Sequence, residues 1–348
     1  MPHSTAAGIP SLGLGGELRY LITGGAGFIG SHLADALVAR GDSLVLLDNL
    51  STGRQENIRH LLKGEYAPAV EFRVGSLLDV PLVQDLVAEV DSVVHLAASV
   101  GVQLIVSKPL ETLLNNVRGT EIVLEAAASS GAKVLIASTS EIYGKNAAGR
   151  LHEDSDRILG SLSKSRWAYA TSKEVDEILA YGYWRVRGLP TIVTRLFNCV
   201  GPRQSGAYGM VIPRLVRQAL AGEDLTVFGD GTQSRCFCHV ADTVRGLISL
   251  LDQGDAVGDV FNVGAQNEIS IRALAELTAE LVGTSSKIRF IPYSEAYEPG
   301  FEDMERRLPD ISKITKMTGW TPTLSLHDIL RDVIAYEMEM SSRTRDSK

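Results

Sequence analysis

Tyr169 and Lys173 stand four residues apart in the stretch YATSK. On a helix that spacing puts both side chains on one face. A phenol, with a pKa of about 10, is a poor base at neutral pH. A neighbouring ammonium favours its phenolate. Such a phenolate can take the proton of a sugar hydroxyl while hydride leaves the same carbon for a nicotinamide. A second chemical feature is STSEIYG at 138–144, where Glu141 follows Thr139 and Ser140 at the end of the apolar run KVLIAS. A carboxylate there either caps a helix start or faces a site. A third is TGGAGFIG, which reads as G-x-G-x-x-G on Gly25, Gly27 and Gly30, or as G-x-x-G-x-x-G on Gly24, Gly27 and Gly30. Missing side chains let a backbone approach a pyrophosphate, and a helix that starts there supplies N–H donors. Asp48 ends the next strand-like run, where a carboxylate accepts hydrogen bonds from a ribose 2′-OH and repels a 2′-phosphate. That pattern favours NAD over NADP.

Apolar runs and helical stretches alternate around these groups. RYLITGG (19–25), SLVLLDN (43–49), VEFRVGS (70–76), SVVHLAA (92–98), AKVLIASTS (132–140), PTIVTRLFN (190–198) and VFNVG (260–264) read as strands. Helical patterns lie between them, including 28–41, 110–130, 167–187 and 209–222. The order predicts a Rossmann-type α/β fold, a doubly wound parallel sheet with helices on both faces. From about residue 199 the alternation weakens and polar loops lengthen, which predicts a smaller, discontinuous C-terminal substrate lobe. The expected division is 1–17 as a tail, 18–198 as the cofactor-binding domain with later strands from about 236–264, 199–235 and 265–338 as the substrate lobe, and 339–348 as a second tail.

The net charge of −8 argues against nucleic-acid binding. No apolar run approaches the roughly 20 residues of a membrane span, and the first 17 residues lack the features of a signal peptide. Cys199, Cys236 and Cys238 form no disulfide or metal-binding pattern and read as structural thiols of a reducing, cytoplasmic compartment.

Taken in order, TGGAGFIG, DNLSTG, HLAA, STSEIYG, YATSK and RLFNCVGPR resemble the extended short-chain dehydrogenases/reductases that act on nucleotide sugars. The resemblance covers about residues 18–338. It implies cofactor contacts from Gly24, Gly27, Phe28, Ile29, Gly30, Asp48, Asn49, Ser51, Thr52, Gly53, Leu77, Leu96, Ala97, Ala98 and Asn116, together with Tyr169 and Lys173. It implies that Thr139 bonds the sugar beside Tyr169. It also implies substrate contacts from Ser140, Asn198, Arg203, Val211, Arg235 and Arg307. Ser76 stands where the family usually has an Asp that contacts adenine. Long helices at 110–130 and 167–187 match a pair that forms a four-helix homodimer interface in the family.

Members of this family begin alike, by oxidising sugar C4, and diverge at the strand-end motif. Epimerases usually carry small residues after the Ser/Thr, and dehydratases resemble T-D-E. T-S-E, as in Thr139-Ser140-Glu141, is similar to the motif of UDP-glucuronate decarboxylases. RRLPDISKITKMTGW (306–320) resembles a second segment of those enzymes, with Arg307 matching an arginine near the substrate. The resemblance therefore implies decarboxylation of UDP-glucuronate to UDP-xylose or UDP-4-keto-pentose, with 4-epimerisation of a UDP-hexose or UDP-uronate as the alternative and 4,6-dehydration third. A catalytically idle NAD-binding scaffold is disfavoured, because it has no use for the Thr139–Tyr169–Lys173 set.

Overall fold

The computed structural model describes residues 17–99, 108–146, 149–161, 164, 167–206, 210–292, 295 and 306–346. The expected tail through residue 16 and most of the polar segment 293–305 lie outside the described residues. The first half contains β1 (Arg19–Thr23), α1 (Phe28–Arg40), β2 (Ser43–Asp48), β3 (Val70–Val74), α2 (Val80–Ala88), β4 (Ser92–His95), α3 (Pro109–Ser130), β5 (Lys133–Thr139), α4 (Trp167–Arg187) and β6 (Thr191–Leu196). Then come β7 (Cys199–Val200), α5 (Val211–Ala221), β8 (Leu225–Phe228), β9 (Ser234–Cys236), β10 (Cys238–His239), α6 (Val240–Leu251) and β11 (Val260–Val263). The chain closes with β12 (Glu268–Ser270), α7 (Ile271–Val282), β13 (Ile288–Ile291), α8 (Ser312–Thr318) and α9 (Leu326–Asp346).

Seven strands form one parallel sheet in the order β11-β6-β5-β4-β1-β2-β3. Strands covered on both faces read as near-continuous apolar runs, as in Leu44–Leu47, all buried. Alternation sends neighbouring side chains to opposite cores. Ile22 and Leu46 pack with Leu33 and Leu37 of α1 and Leu247 of α6. Leu21 and Val45 pack with Val87 of α2, Val123 of α3 and Ala180 of α4. The strand order reverses between β4 and β2 about β1, and ligands of such sheets bind outside the carboxyl ends at that point. A third core, with Leu215, Leu225, Leu274 and Leu330, joins α5, β8, α7 and α9 beyond the sheet.

Two expectations need correction. Of the later strands, β11 completes the main sheet, but β9 pairs antiparallel with β12 and β10 pairs with β7 in separate small sheets. Residues 339–346 are no tail: α9 runs to Asp346. Nothing after Leu326 breaks a helix, since the segment holds neither Pro nor Gly. Ile329, Leu330 and Val333 anchor it, and a Glu339–Arg343 pair at i,i+4 supports its polar end.

Candidate active site at the carboxyl ends of the sheet

The glycine loop joins β1 to α1. Gly24 has φ +71°, and a Cβ there would sit 3.0 Å from the backbone N of Ala97, just after β4. A Cβ on Gly27 would lie 2.9 Å from the Gly24 carbonyl oxygen, and one on Gly30 would overlap that oxygen. The loop is thus a cradle that side chains would fill. Gly27 caps α1 without a side chain, so the amides of Phe28, Ile29 and Gly30 open the helix at the cradle. Asp48, at the end of β2, accepts hydrogen bonds from the amides of Ala26 (3.0 Å) and Leu50 (2.8 Å). Burial raises its proton affinity, and the two amides oppose that. Gly53 packs on its carboxylate, 2.6 Å from where a Cβ would stand. Asn49 folds back to the Ser51 amide, leaving Ser51 and Thr52 exposed beside it. Leu96, Ala97 and Ala98 line the opposite side, half-buried. Leu77 packs over Gly119. These residues fit a dinucleotide: the bare-backbone loop and helix start suit a diphosphate, and Asp48, bonded to the loop at Ala26, suits a ribose.

The second group gathers at the end of β5. The Thr139 hydroxyl accepts from the Glu141 amide at 3.2 Å and so starts the short 3₁₀ turn Ser140–Tyr143. Gly144 closes that turn at φ +57°, where any Cβ would meet the Ile158 carbonyl. The turn is what points Glu141 out of the strand end. Glu141 and Arg307 meet at 3.7 Å, with side chains 21% and 11% exposed, and Arg307 also reaches the Ser140 hydroxyl at 3.5 Å. Two segments 166 residues apart in sequence are thereby brought together.

Tyr169 and Lys173 lie on one face of α4, both buried. Their electrostatics differ from expectation. Burial raises the proton affinity of Tyr169 first, and the charges of Glu141 and Asp176 raise it further. The Lys173 ammonium is shared with Asp176, 3.0 Å away, in a pair whose side chains are 3% and 0% exposed. Among the described residues, the Asp176 oxygens have no hydrogen-bond partner besides this ion pair. The phenol is therefore held protonated in this arrangement. The sequence reading missed Asp176, although a carboxylate three residues after Lys173 on a helix is a spacing that pairs. It also missed His95, which bonds Thr23 (2.8 Å) and Thr120 (3.0 Å) and is pushed down to about 3 by burial, with Lys173 nearby adding to the shift.

The other expected residues divide. Asn116 ties the loop after β4 to α4, accepting from the Ser99 amide (2.7 Å) and donating to Ser172 (3.2 Å). Asn198, at φ +27°, donates to the Cys236 carbonyl at 2.9 Å, so half of its amide is committed to holding β9. Arg235 is buried and donates to the Ser234 carbonyl. Val211 opens α5, half-buried. Arg203 stands apart from the Thr139–Tyr169 group: its guanidinium pairs with Asp35 of α1 at 2.8 Å.

Residues 21–333 match the model of the GDP-mannose 4,6 dehydratase family. The chain is similar to a UDP-N-acetyl-alpha-D-glucosaminuronate decarboxylase of Bacillus cytotoxicus, at 41% identity over 93% of this chain and 99% of that one. It is similar to UDP-glucuronic acid decarboxylase 1 of Xenopus tropicalis, at 38% identity over 91% of this chain and 72% of that one. Its fold resembles the crystal structure of UDP-glucuronic acid 4-epimerase from Bacillus cereus in complex with UDP-glucuronic acid and NAD, with TM-score 0.83, 30% identity and coverage of 93% and 100% of the two chains. By the glycine cradle, the strand-end turn with its Tyr–Lys helix, and these likenesses, the chain belongs to the GDP-mannose 4,6 dehydratase family.

Proposed function

We propose that the protein is an NAD-dependent UDP-uronate decarboxylase acting on UDP-glucuronate, with the 2-acetamido counterpart named in its 41%-identical relative as a second substrate to test. The observation that carries this reading is the Glu141–Arg307 pair beside Thr139 and Tyr169. The chemistry NAD supplies when bound in the glycine cradle is reversible acceptance of hydride from sugar C4. Tyr169 exchanges a proton with the C4 oxygen, and Thr139 orients it. Oxidation at C4 makes a uronate a β-keto acid. Its C5–C6 bond then breaks, the electron pair moves into the C4 carbonyl, and CO₂ leaves; a proton is then taken up at C5. No strong base is needed. Arg307 holds the anionic substrate through its carboxylate or phosphate. Glu141, anionic and half-buried, disfavours a second carboxylate beside it and so eases its loss. Asn198 contacts the diphosphate, Arg235 contacts the nucleotide, and Val211 is a further substrate contact.

Purified protein with NAD and either UDP-uronate, followed by mass spectrometry of the nucleotide sugar, tests this. Loss of the mass of CO₂ is expected, and the product's oxidation level reports whether the hydride returns. An unchanged mass with a new galacto isomer by NMR would mean a 4-epimerase instead.

We also infer a cytoplasmic homodimer. No helix among the described residues is long and apolar enough to cross a membrane, and the three cysteines are free thiols. Leu110 and Leu114 on α3, with Ile178 and Tyr181 on α4, are each more than half exposed on two adjacent helices. That apolar face supports pairing as a four-helix bundle, and light scattering of Leu114→Asp, expected to be monomeric, checks it.

A further inference from the structure

Arg195 is the one charged residue of β6, an inner strand of the sheet, and is only 5% exposed. Buried charge persists when it is paired and its donors are used. Arg195 pairs bidentately with Glu177 of α4, at 3.0 and 2.8 Å. A further nitrogen donates to the Tyr143 hydroxyl (2.9 Å) and the Glu153 carbonyl (2.7 Å). Arginine can only donate, so the Tyr143 oxygen accepts and its proton goes on to Asn262 Oδ1, at 2.8 Å. That orients the Asn262 amide: its nitrogen donates to the carbonyls of Leu151 (2.9 Å) and Asp310 (3.1 Å). Leu151 in turn pairs with the backbone on both sides of Pro309, through Leu308 and Asp310. Ser138, at the end of β5, donates to the same Glu177 at 2.5 Å. Burial pushes the Tyr143 phenol up to about 12, so it stays a neutral donor.

The chain of bonds passes through three segments that carry site residues. Glu177 is on the helix of Tyr169 and Lys173. Tyr143 is two residues from Glu141 on the same short turn. Leu308 follows Arg307. We propose that Tyr143 and Asn262, anchored on Arg195, are positioning residues that set Glu141 against Arg307 for the step in which the substrate carboxylate is lost. The step named here rests on the function proposed above; the positioning itself does not.

Tyr143→Phe keeps the ring on Phe197, its neighbour at 6.0 Å, and removes only the hydroxyl link. Asn262→Ala cuts the same chain one bond further on. In crystals of Tyr143→Phe the Glu141–Arg307 separation is expected to widen from 3.7 Å to beyond about 5 Å, too long for a direct pair. In single turnovers with UDP-glucuronate, cofactor reduction should stay within about twofold of the parent while CO₂ release slows about tenfold, the worth of one lost hydrogen bond. Substrate KM should stay within about threefold, because the hydroxyl removed lies on the Glu141 turn while the Leu151 backbone bonds to Leu308 and Asp310 still hold the Arg307 segment. The double variant should cost no more than the larger single, because both cut one chain. An unmoved Glu141–Arg307 pair, reduction and CO₂ release falling together, or additive losses would each overturn the proposal and leave the network a purely structural one. If the parent protein released no CO₂ from either UDP-uronate, the proposed function would fall, and the crystallographic comparison would still decide the positioning.

Discussion

Replacing Asp176 by Asn should make the Tyr169 phenol easier to ionise and the protein less stable. Asp176 lies seven residues after Tyr169 on one helix, about 10 Å along the axis at about 1.5 Å per residue. With an effective dielectric of about 20, a unit charge at that distance is worth about 1.7 kcal/mol, or about one pH unit. Asp176 acts twice. Its own charge raises the proton affinity of Tyr169, and it shares the Lys173 ammonium at 3.0 Å. Removing it should move the acid limb of the kcat–pH profile down by about one unit, because that limb reports the phenolate. Breaking one side of a buried ion pair also costs about 3–5 kcal/mol. For a chain of 348 residues, at about 2.1 cal/mol/K per residue, that lowers Tm by about 4–7 °C. The assay is kcat against pH for the parent, Asp176→Asn and Asp176→Asn/Lys173→Met, with calorimetry on each. The double variant, which lacks both charges, should regain stability and move the limb up relative to Asp176→Asn. An acid limb that stays put in Asp176→Asn, or rises, would refute the view that Asp176 damps Lys173.

Gly30→Ala puts a methyl group onto the Gly24 carbonyl oxygen, and calorimetric titration should show NAD binding weakened at least about tenfold, a loss of about 1.4 kcal/mol; an unchanged Kd would mean the loop is not the diphosphate cradle. His95 has a folded-state pKa depressed from 6.5 to about 3. The unfolded chain therefore binds a proton the folded one refuses, and stability present above about pH 6.5 is lost at about 1.4 kcal/mol per unit as pH falls towards 3. Urea unfolding at several pH values should show that slope flatten in His95→Asn; an identical slope would assign it to other groups. Glu141→Gln should leave UDP-glucuronate affinity within about threefold and slow CO₂ release about a hundredfold, the scale for one electrostatic group at a reacting centre; normal turnover would remove Glu141 from the chemistry.

The fold and most of the site follow from local sequence. Glycines at fixed spacing after a strand leave the backbone few alternatives, so the cradle of Gly24, Gly27 and Gly30 and the placement of Asp48 at the end of β2 could be read directly. Continuous apolar runs gave the sheet and a period of 3.6 gave the bounds of α4, because burial on both faces of a strand writes itself into apolar runs. The C-terminal helix was misread, since a polar, charged end of a helix and a solvated tail have the same composition and differ only in the anchoring of Ile329, Leu330 and Val333. The family resemblance also implied that Thr139, Glu141, Tyr169 and Lys173 share one site, but a motif names groups without their charges' surroundings. Whether Lys173 acts freely on Tyr169 depends on Asp176 being buried beside it, and burial is a property of the packed helix pair. Arg195, Glu177, Tyr143 and Asn262 are scattered over 120 residues with no pattern between them. Only the tertiary structure joins them, because hydrogen bonds act over about 3 Å in space and carry no periodicity along the chain.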